Sequence, residues 1–182
     1  MSLLNVQNFT ARIYTDENLR REFSAAPQKI GKQNNLTETE IAELVEILPD
    51  EINFFAESLF WKRLREVEKL LPFTKRIFGA DFEMRFREFA NQFTPESIKK
   101  HLEDAIQFAE FLRERETNWK SDAARFESAK LEFYALGKNF VFRRFDYDVK
   151  EIYRRFHELP MNFERRKTFA VWLRIGKREF VF

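Results

Sequence analysis

The stretch FAVWLRIGKREFVF, Phe169–Phe182, is where the chain changes its period. Side chains of a strand alternate between two faces, so Phe169, Val171, Leu173 and Ile175 share one face while Ala170, Trp172 and Arg174 share the other. Gly176-Lys177 follows, with glycine at the first central position, as a type II′ two-residue turn requires. That turn pairs Ile175 with Arg178, Leu173 with Phe180 and Val171 with Phe182, and the apolar face continues across both strands. A lone hairpin is marginal in water, so a third strand is expected. The segment FVFRRFDYDV, residues 140–149, supplies it, with Phe145, Tyr147 and Val149 alternating against Arg144, Asp146 and Asp148. A helix carrying Val149, Ile152, Tyr153 and Phe156 then crosses back towards the hairpin.

Before Gly137 the apolar residues recur at helical spacing. Leu3, Val6, Phe9 and Ile13 mark a first helix. Asp16 caps a second, with Leu19 and Phe23, which Pro27 limits. Thr37 and Glu40 form a capping box ahead of Ile41, Leu44, Val45 and Leu48, and Pro49 closes that helix. Asp50 caps a long helix through Leu71 that buries Ala56, Leu59, Phe60, Leu64 and Val67. Pro72 and Gly79 bracket a short turn of helix around Phe73 and Ile77. Phe82, Phe86, Phe89 and Phe93 form an aromatic stripe whose commonest use is core packing. Thr94-Pro95 opens a helix with Ile98, Leu102, Ala105, Ala109 and Leu112 on its apolar face. After the polar run 113–121 comes a helix with Phe126, Ala129, Phe133 and Leu136 pointing one way, ended by Gly137. The fold class is mainly α, a helical bundle with a small C-terminal antiparallel sheet. The expected organisation is a helical domain, 1–137 (a module 1–49 and a bundle 50–137), followed by a small α+β module, 138–182.

Twenty-three phenylalanines in 182 residues can build a core without staples. The chain has no cysteine, which removes disulfides, thiolate metal sites and thiol catalysis, and suits a reducing cytoplasm. No apolar run is long enough to span a bilayer, and no secretory signal pattern opens the chain. Net charge is +2 but unevenly placed. Residues 1–58 hold five Lys/Arg against ten Asp/Glu, a net of −5, and residues 137–182 hold twelve against six, a net of +6. The sheet end therefore favours an acidic partner, or contact between the two ends.

Three stretches carry a family resemblance. IYTDENLRREFSAAPQKIGKQNNLTETEIAEL resembles the small helical module of the alpha subunit of protocatechuate-type ring-opening dioxygenases, also found in some peptide leaders. In those dioxygenases the metal sits in a different subunit, so the resemblance implies packing or recognition. LLPFTKRIFGADFEMRFREFANQF with HLEDAIQFAEFL, and then ARFESAKLEFYAL, resemble the helical part of the small partner proteins encoded beside multinuclear non-haem iron oxidases that modify ribosomally made peptides. The likeness implies a non-catalytic partner that presents its sheet to a precursor leader peptide and docks on an iron-dependent oxidase.

From the residues themselves, a small antiparallel sheet either covers the helical core or accepts an extended peptide at its edge. For the second use the candidate peptide-binding residues are Arg143, Arg144, Trp172, Arg174, Lys177 and Arg178. The rival reading is nucleic-acid binding, since Arg143, Arg144, Arg154, Arg155, Arg165, Arg166 and Lys167 sit among Phe and Tyr, a mix that grips phosphates and stacks bases. No catalytic constellation is expected. His101 and Asp104 lie three apart on a helix, but two ligands make a poor metal site and His157 is remote in sequence. Pairs such as Glu103-Asp104, or Asp146 and Asp148, fit solvated faces. No metal and no cofactor is expected.

Overall fold

The computed structural model describes residues 3–46, 49–158 and 162–182. Among them ten α-helices accompany one three-stranded antiparallel sheet, so the chain is mainly helical with a C-terminal hairpin. No helix of the described residues is long and apolar enough to cross a membrane. Two compact units are present: residues 1–64 with 90–94, and residues 65–89 with 95–182. The division falls inside the long helix, and the sheet shares a unit with most of the helices from residue 65 onward.

The first unit contains α1 (Leu3–Thr15), α2 (Glu17–Ala25), α3 (Pro27–Gln33), α4 (Glu38–Glu46) and the start of α5 (Pro49–Leu70). Its core is Phe9, Ile13, Leu19, Phe23, Ile30, Leu36, Ile41 and Leu44, with the Phe9 and Phe23 rings edge-to-face at 5.2 Å. Asp16 caps α2 by accepting from the Leu19 amide at 2.9 Å. The capping box closes as expected: the Thr37 amide donates to Glu40 at 2.8 Å and the Glu40 amide to Thr37 Oγ1 at 3.3 Å. Three details differ from the sequence reading. Pro27 ends α2 but also opens α3 in the tolerated first turn, a helix its polar, glycine-containing sequence hides. Val45, placed on the buried face of α4, is half-exposed. The α5 helix begins at Pro49, which puts Asp50 inside its first turn instead of at the cap. Leu48 lies outside the described residues.

Gly31 brings α3 against α4. A Cβ there would sit 2.4 Å from Ile41 Cγ1, and Ile41 is fully buried. Only a residue without a side chain permits that approach.

The second unit holds α6 (Pro72–Phe78), most of α7 (Asp81–Ala90), α8 (Lys100–Arg115), α9 (Trp119–Tyr134), β1 (Phe140–Tyr147), α10 (Val149–Arg155), a 3-10 turn (Phe156–Glu158), β2 (Arg165–Ile175) and β3 (Arg178–Val181). Three residues of the aromatic stripe are core, while Phe93 lies beyond the end of α7 and is only partly buried. Phe82, Phe86 and Phe89 surround the buried Phe108 ring at 5.3, 5.2 and 5.5 Å, two of them edge-to-face. Thr94-Pro95 does not open α8, which starts at Lys100, and Ile98 is fully exposed instead of buried. The reason is Glu103, whose carboxylate accepts from the Glu96 and Ser97 amides at 3.1 and 2.7 Å and holds 96–97 out of the helix. These donors, Ser97 foremost, hold the Glu103 carboxyl below the usual range. At the other end, α9 stops at Tyr134 and leaves Leu136 exposed; Gly137, at φ +72°, makes the turn into β1.

The α9 helix carries three buried carboxylates, one tied to α6 and two to β1 and the turn before it. Glu127 accepts from the Phe73 amide at 3.0 Å and from the Thr74 amide and hydroxyl at 2.8 Å, capping α6, whose own N-cap Leu71 has no side chain that can do so. Asp122 accepts from the Asp146 and Tyr147 amides at 2.6 and 2.9 Å. Glu132 receives Lys138 and Arg143. Burial pushes the Glu127 and Asp122 carboxyls above the ordinary carboxylate range, against the lowering effect of their donors.

Gly31→Ala should lower the stability of the first unit by about 1–3 kcal/mol, the range for overpacking, read by urea unfolding; an unchanged midpoint contradicts the close approach. A carboxyl whose folded pKa is raised lends stability below its unfolded pKa, and that contribution is lost as pH rises through the folded value. Wild type should therefore lose stability relative to Glu127→Gln as pH rises from about 4 into the neutral range. A wild-type-minus-variant difference that instead grows with pH would contradict the assignment.

Candidate functional site

The sheet is ordered β1-β2-β3. Its hairpin has the register read from the sequence: Ile175 pairs with Arg178 and Leu173 with Phe180, while Val171 and Phe182 exchange amide–carbonyl bonds at 3.1 and 3.0 Å. Gly176 takes φ +61° and Lys177 is not among the positive-φ residues, the signature of the type II′ turn. The third strand pairs Phe140 with Leu173, Phe142 with Val171 and Arg144 with Phe169.

The two faces divide unexpectedly. The face that packs on the helices is the one with fewer apolar residues: Val141 and Phe145 of β1, Ala170 and Trp172 of β2. Trp172 is 1% exposed, and its ring lies 5.4 Å from that of Phe126 on α9. The opposite face carries Phe140 and Phe142, then Phe169, Val171, Leu173 and Ile175, then Phe180 and Phe182. Phe169 is 61% exposed, and Phe140 and Phe182 are each 59% exposed. A hairpin normally buries its more apolar face, so this outer face is the most unusual surface of the unit.

The sheet's two edges also differ. The Arg174 amide donates to the Asn139 carbonyl, which fixes residues 139, 141, 143 and 145 as those bonded to β2 and turns the backbone groups of 140, 142 and 144 outward. That β1 edge is partly occupied. Arg143 donates to the Phe142 carbonyl at 2.9 Å, Arg125 to the Arg144 carbonyl at 3.0 Å, and Asp122 takes the Asp146 and Tyr147 amides. On β3 the Val171–Phe182 bonds turn Phe180 and Phe182 towards β2, so the amides and carbonyls of Glu179 and Val181 face away from the sheet. All four β3 residues are exposed.

The six candidate residues separate accordingly. Trp172 is a core residue and not a surface reader. Arg143 is held by Glu132. Arg174 donates to Glu179 at 2.7 and 3.0 Å and lies 4.7 Å from the centre of the Phe133 ring. These three serve the fold from the inner face. Arg144, Lys177 and Arg178 are exposed, and with Lys167 they rim the outer face. At the Arg144 corner a groove of about 620 Å³ is lined by Arg125, Phe142, Arg144, Asp146, Lys167 and Phe169.

Elsewhere the candidate carboxylates act as caps: Asp148 accepts from the Lys150 and Glu151 amides, each at 3.1 Å, and Glu103 holds 96–97. His101 Nδ1 is buried without a hydrogen-bond partner and Asp104 is fully buried three residues on. Among the described residues no group of three or more His, Cys, Asp or Glu is placed to hold a metal. The rival basic set is spread out. Arg154 and Arg155 sit on α10, Arg155 is bonded to Glu151 and Glu158, and Arg166 lies 3.6 Å from Asp148.

No family model matches the chain, and no curated protein matches it.

The division of faces makes a direct prediction. Trp172→Ala should destabilise the second unit by about 3–5 kcal/mol, as loss of a buried aromatic does. Phe140→Ser should stay within about 0.5 kcal/mol, as an exposed site does. Urea unfolding of the two variants measures both, and equal losses would contradict the assignment.

Proposed function

We propose that the chain is a non-catalytic recognition subunit that binds an acidic extended peptide by strand addition at β3 and leaves the chemistry to a partner enzyme. The observation that carries this reading is the difference between the two edges. On β1 the carbonyls of Phe142 and Arg144 accept from Arg143 and Arg125 and the amides of Asp146 and Tyr147 donate to Asp122, whereas on β3 the amides and carbonyls of Glu179 and Val181 point away from the sheet. An added strand would gain main-chain hydrogen bonds there, and alternate side chains would set its sequence preference. Lys177 and Arg178 adjoin that edge, and the excess of cations over residues 137–182 favours an acidic chain and speeds its encounter. An edge of four residues offers few bonds, so affinity also draws on the neighbouring Phe180 and Phe182 rings.

Val181→Pro tests this reading. Proline removes the outward amide of 181 and leaves the β2-facing groups of Phe180 and Phe182 in place, the one kind of strand position that tolerates it. Binding of fluorescent acidic peptides, including leader segments of short open reading frames beside the gene, should fall tenfold or more while the circular dichroism spectrum is unchanged. Undiminished binding rejects the edge. Tighter binding of a single-stranded oligonucleotide, with an affinity that falls steeply as salt rises, would favour the nucleic-acid reading, for which the groove of Phe142, Phe169, Arg144 and Lys167 is the place.

A further inference from the structure

We infer that the outer face of the sheet, separately from its edge, is a docking surface for an acidic amphipathic helix of another protein. The side chains there come from all three strands. Phe140 and Phe142 stand on one flank and Phe180 and Phe182 on the other, while the middle strand contributes the shorter Val171 and Leu173 between them, with Phe169 and Ile175 at the two ends of its row. The Phe180 and Phe182 rings lie parallel at 6.3 Å, and Phe142 and Phe169 lie 6.2 Å apart. The rings of both flanks and of Phe169 thus stand around a lower centre of Val171 and Leu173, which can receive a ridge. A helix with one apolar stripe supplies such a ridge, and helix on sheet is a stable way to bury both.

Area supports the same conclusion. With about 200 Å² to each phenylalanine, the exposed fractions of this face amount to roughly 600 Å² of apolar surface. That is at the upper end for the largest patch of a monomer, about 300–600 Å², and approaches the roughly 800 Å² that one partner contributes to a standard interface.

Charge selects the occupant. Arg144, Lys167, Lys177 and Arg178 surround the face and form no ion pair among the described residues, while Glu179, on the inner face, is engaged by Arg174. Asp146, at the Arg144 corner, is the one carboxylate lining the groove there. A second copy laid face to face would set these cations against their own kind, whereas carboxylates flanking an apolar stripe would answer each of them.

The test uses the full chain and two synthetic 18-residue helices with the same leucine and phenylalanine stripe, one flanked by glutamate and the other by lysine. The glutamate peptide should bind at least tenfold tighter, with an affinity that weakens as salt rises. Leu173→Glu, on the exposed face, should abolish the binding, and the double variant Arg144→Glu/Arg178→Glu should shift the preference to the lysine peptide even if Leu173→Glu perturbs folding. Val181→Pro should leave this binding intact, which separates it from recognition at the edge. Equal binding of the two peptides, or insensitivity to the charge reversal, overturns the inference. So does self-association by sedimentation velocity at concentrations where the peptides do not bind, or binding to phosphatidylserine vesicles that Leu173→Glu abolishes while the peptides are ignored.

Discussion

Asp122, Glu127 and Glu132 are spaced five apart on α9, so each points about 140° around the helix from the one before. All three are buried, and a buried carboxylate is tolerated only where donors converge on it. The sheet end of β1, the N-terminus of α6 and the Lys138–Arg143 segment supply those donors. One helix thereby fixes α6 and holds β1 near both of its ends. Removing the Glu127 carboxylate would leave the buried Phe73 and Thr74 amides unanswered, a loss larger than the net worth of the bonds themselves.

The surface available for recognition follows from that arrangement. Asp122 and Arg125 of α9 hold the β1 edge, and Phe126 of the same helix receives Trp172 and Phe145. The sheet is committed to α9 by one face and one edge. Its more apolar face and its β3 edge remain outward, rimmed by Arg144, Lys167, Lys177 and Arg178. The unit thus meets its own stability requirements from the α9 side and keeps a hydrophobic, cationic surface on the other.

Much of this was legible in the residues. The hairpin, its turn and its register followed from alternation with period two and from the glycine at 176, because a slip of one residue would have mixed the faces. The capping residues Asp16, Thr37 and Glu40 were legible because capping is local. Which face of the sheet packs inward was not legible. Counting apolar residues favours the face of Phe169, Val171, Leu173 and Ile175, yet the small Ala170 and the long reach of Trp172 fit α9. The α9 carboxylates were overlooked because acidic residues read as solvated. The available signal was the surrounding run SDAARFESA, whose alanines and serines mark a helix packed on more than one side. Helix α3 and the displaced start of α8 depend on Pro27 and on Glu103, whose roles only the tertiary fold reveals. Of the candidate site, Arg144, Lys177 and Arg178 lie at the surface, Trp172 is in the core, and the partly buried Arg143 and Arg174 are paired with Glu132 and Glu179.

Amide hydrogen exchange measured residue by residue tests the central claim most directly. If α9 closes the β1 edge and leaves β3 open, the amides of Asp146 and Tyr147 exchange slowly, those of Glu179 and Val181 exchange fast, and Phe180 between them is slower than both. Glu179 and Val181 amides as protected as that of Phe180, or Asp146 and Tyr147 amides exchanging freely, would contradict the account.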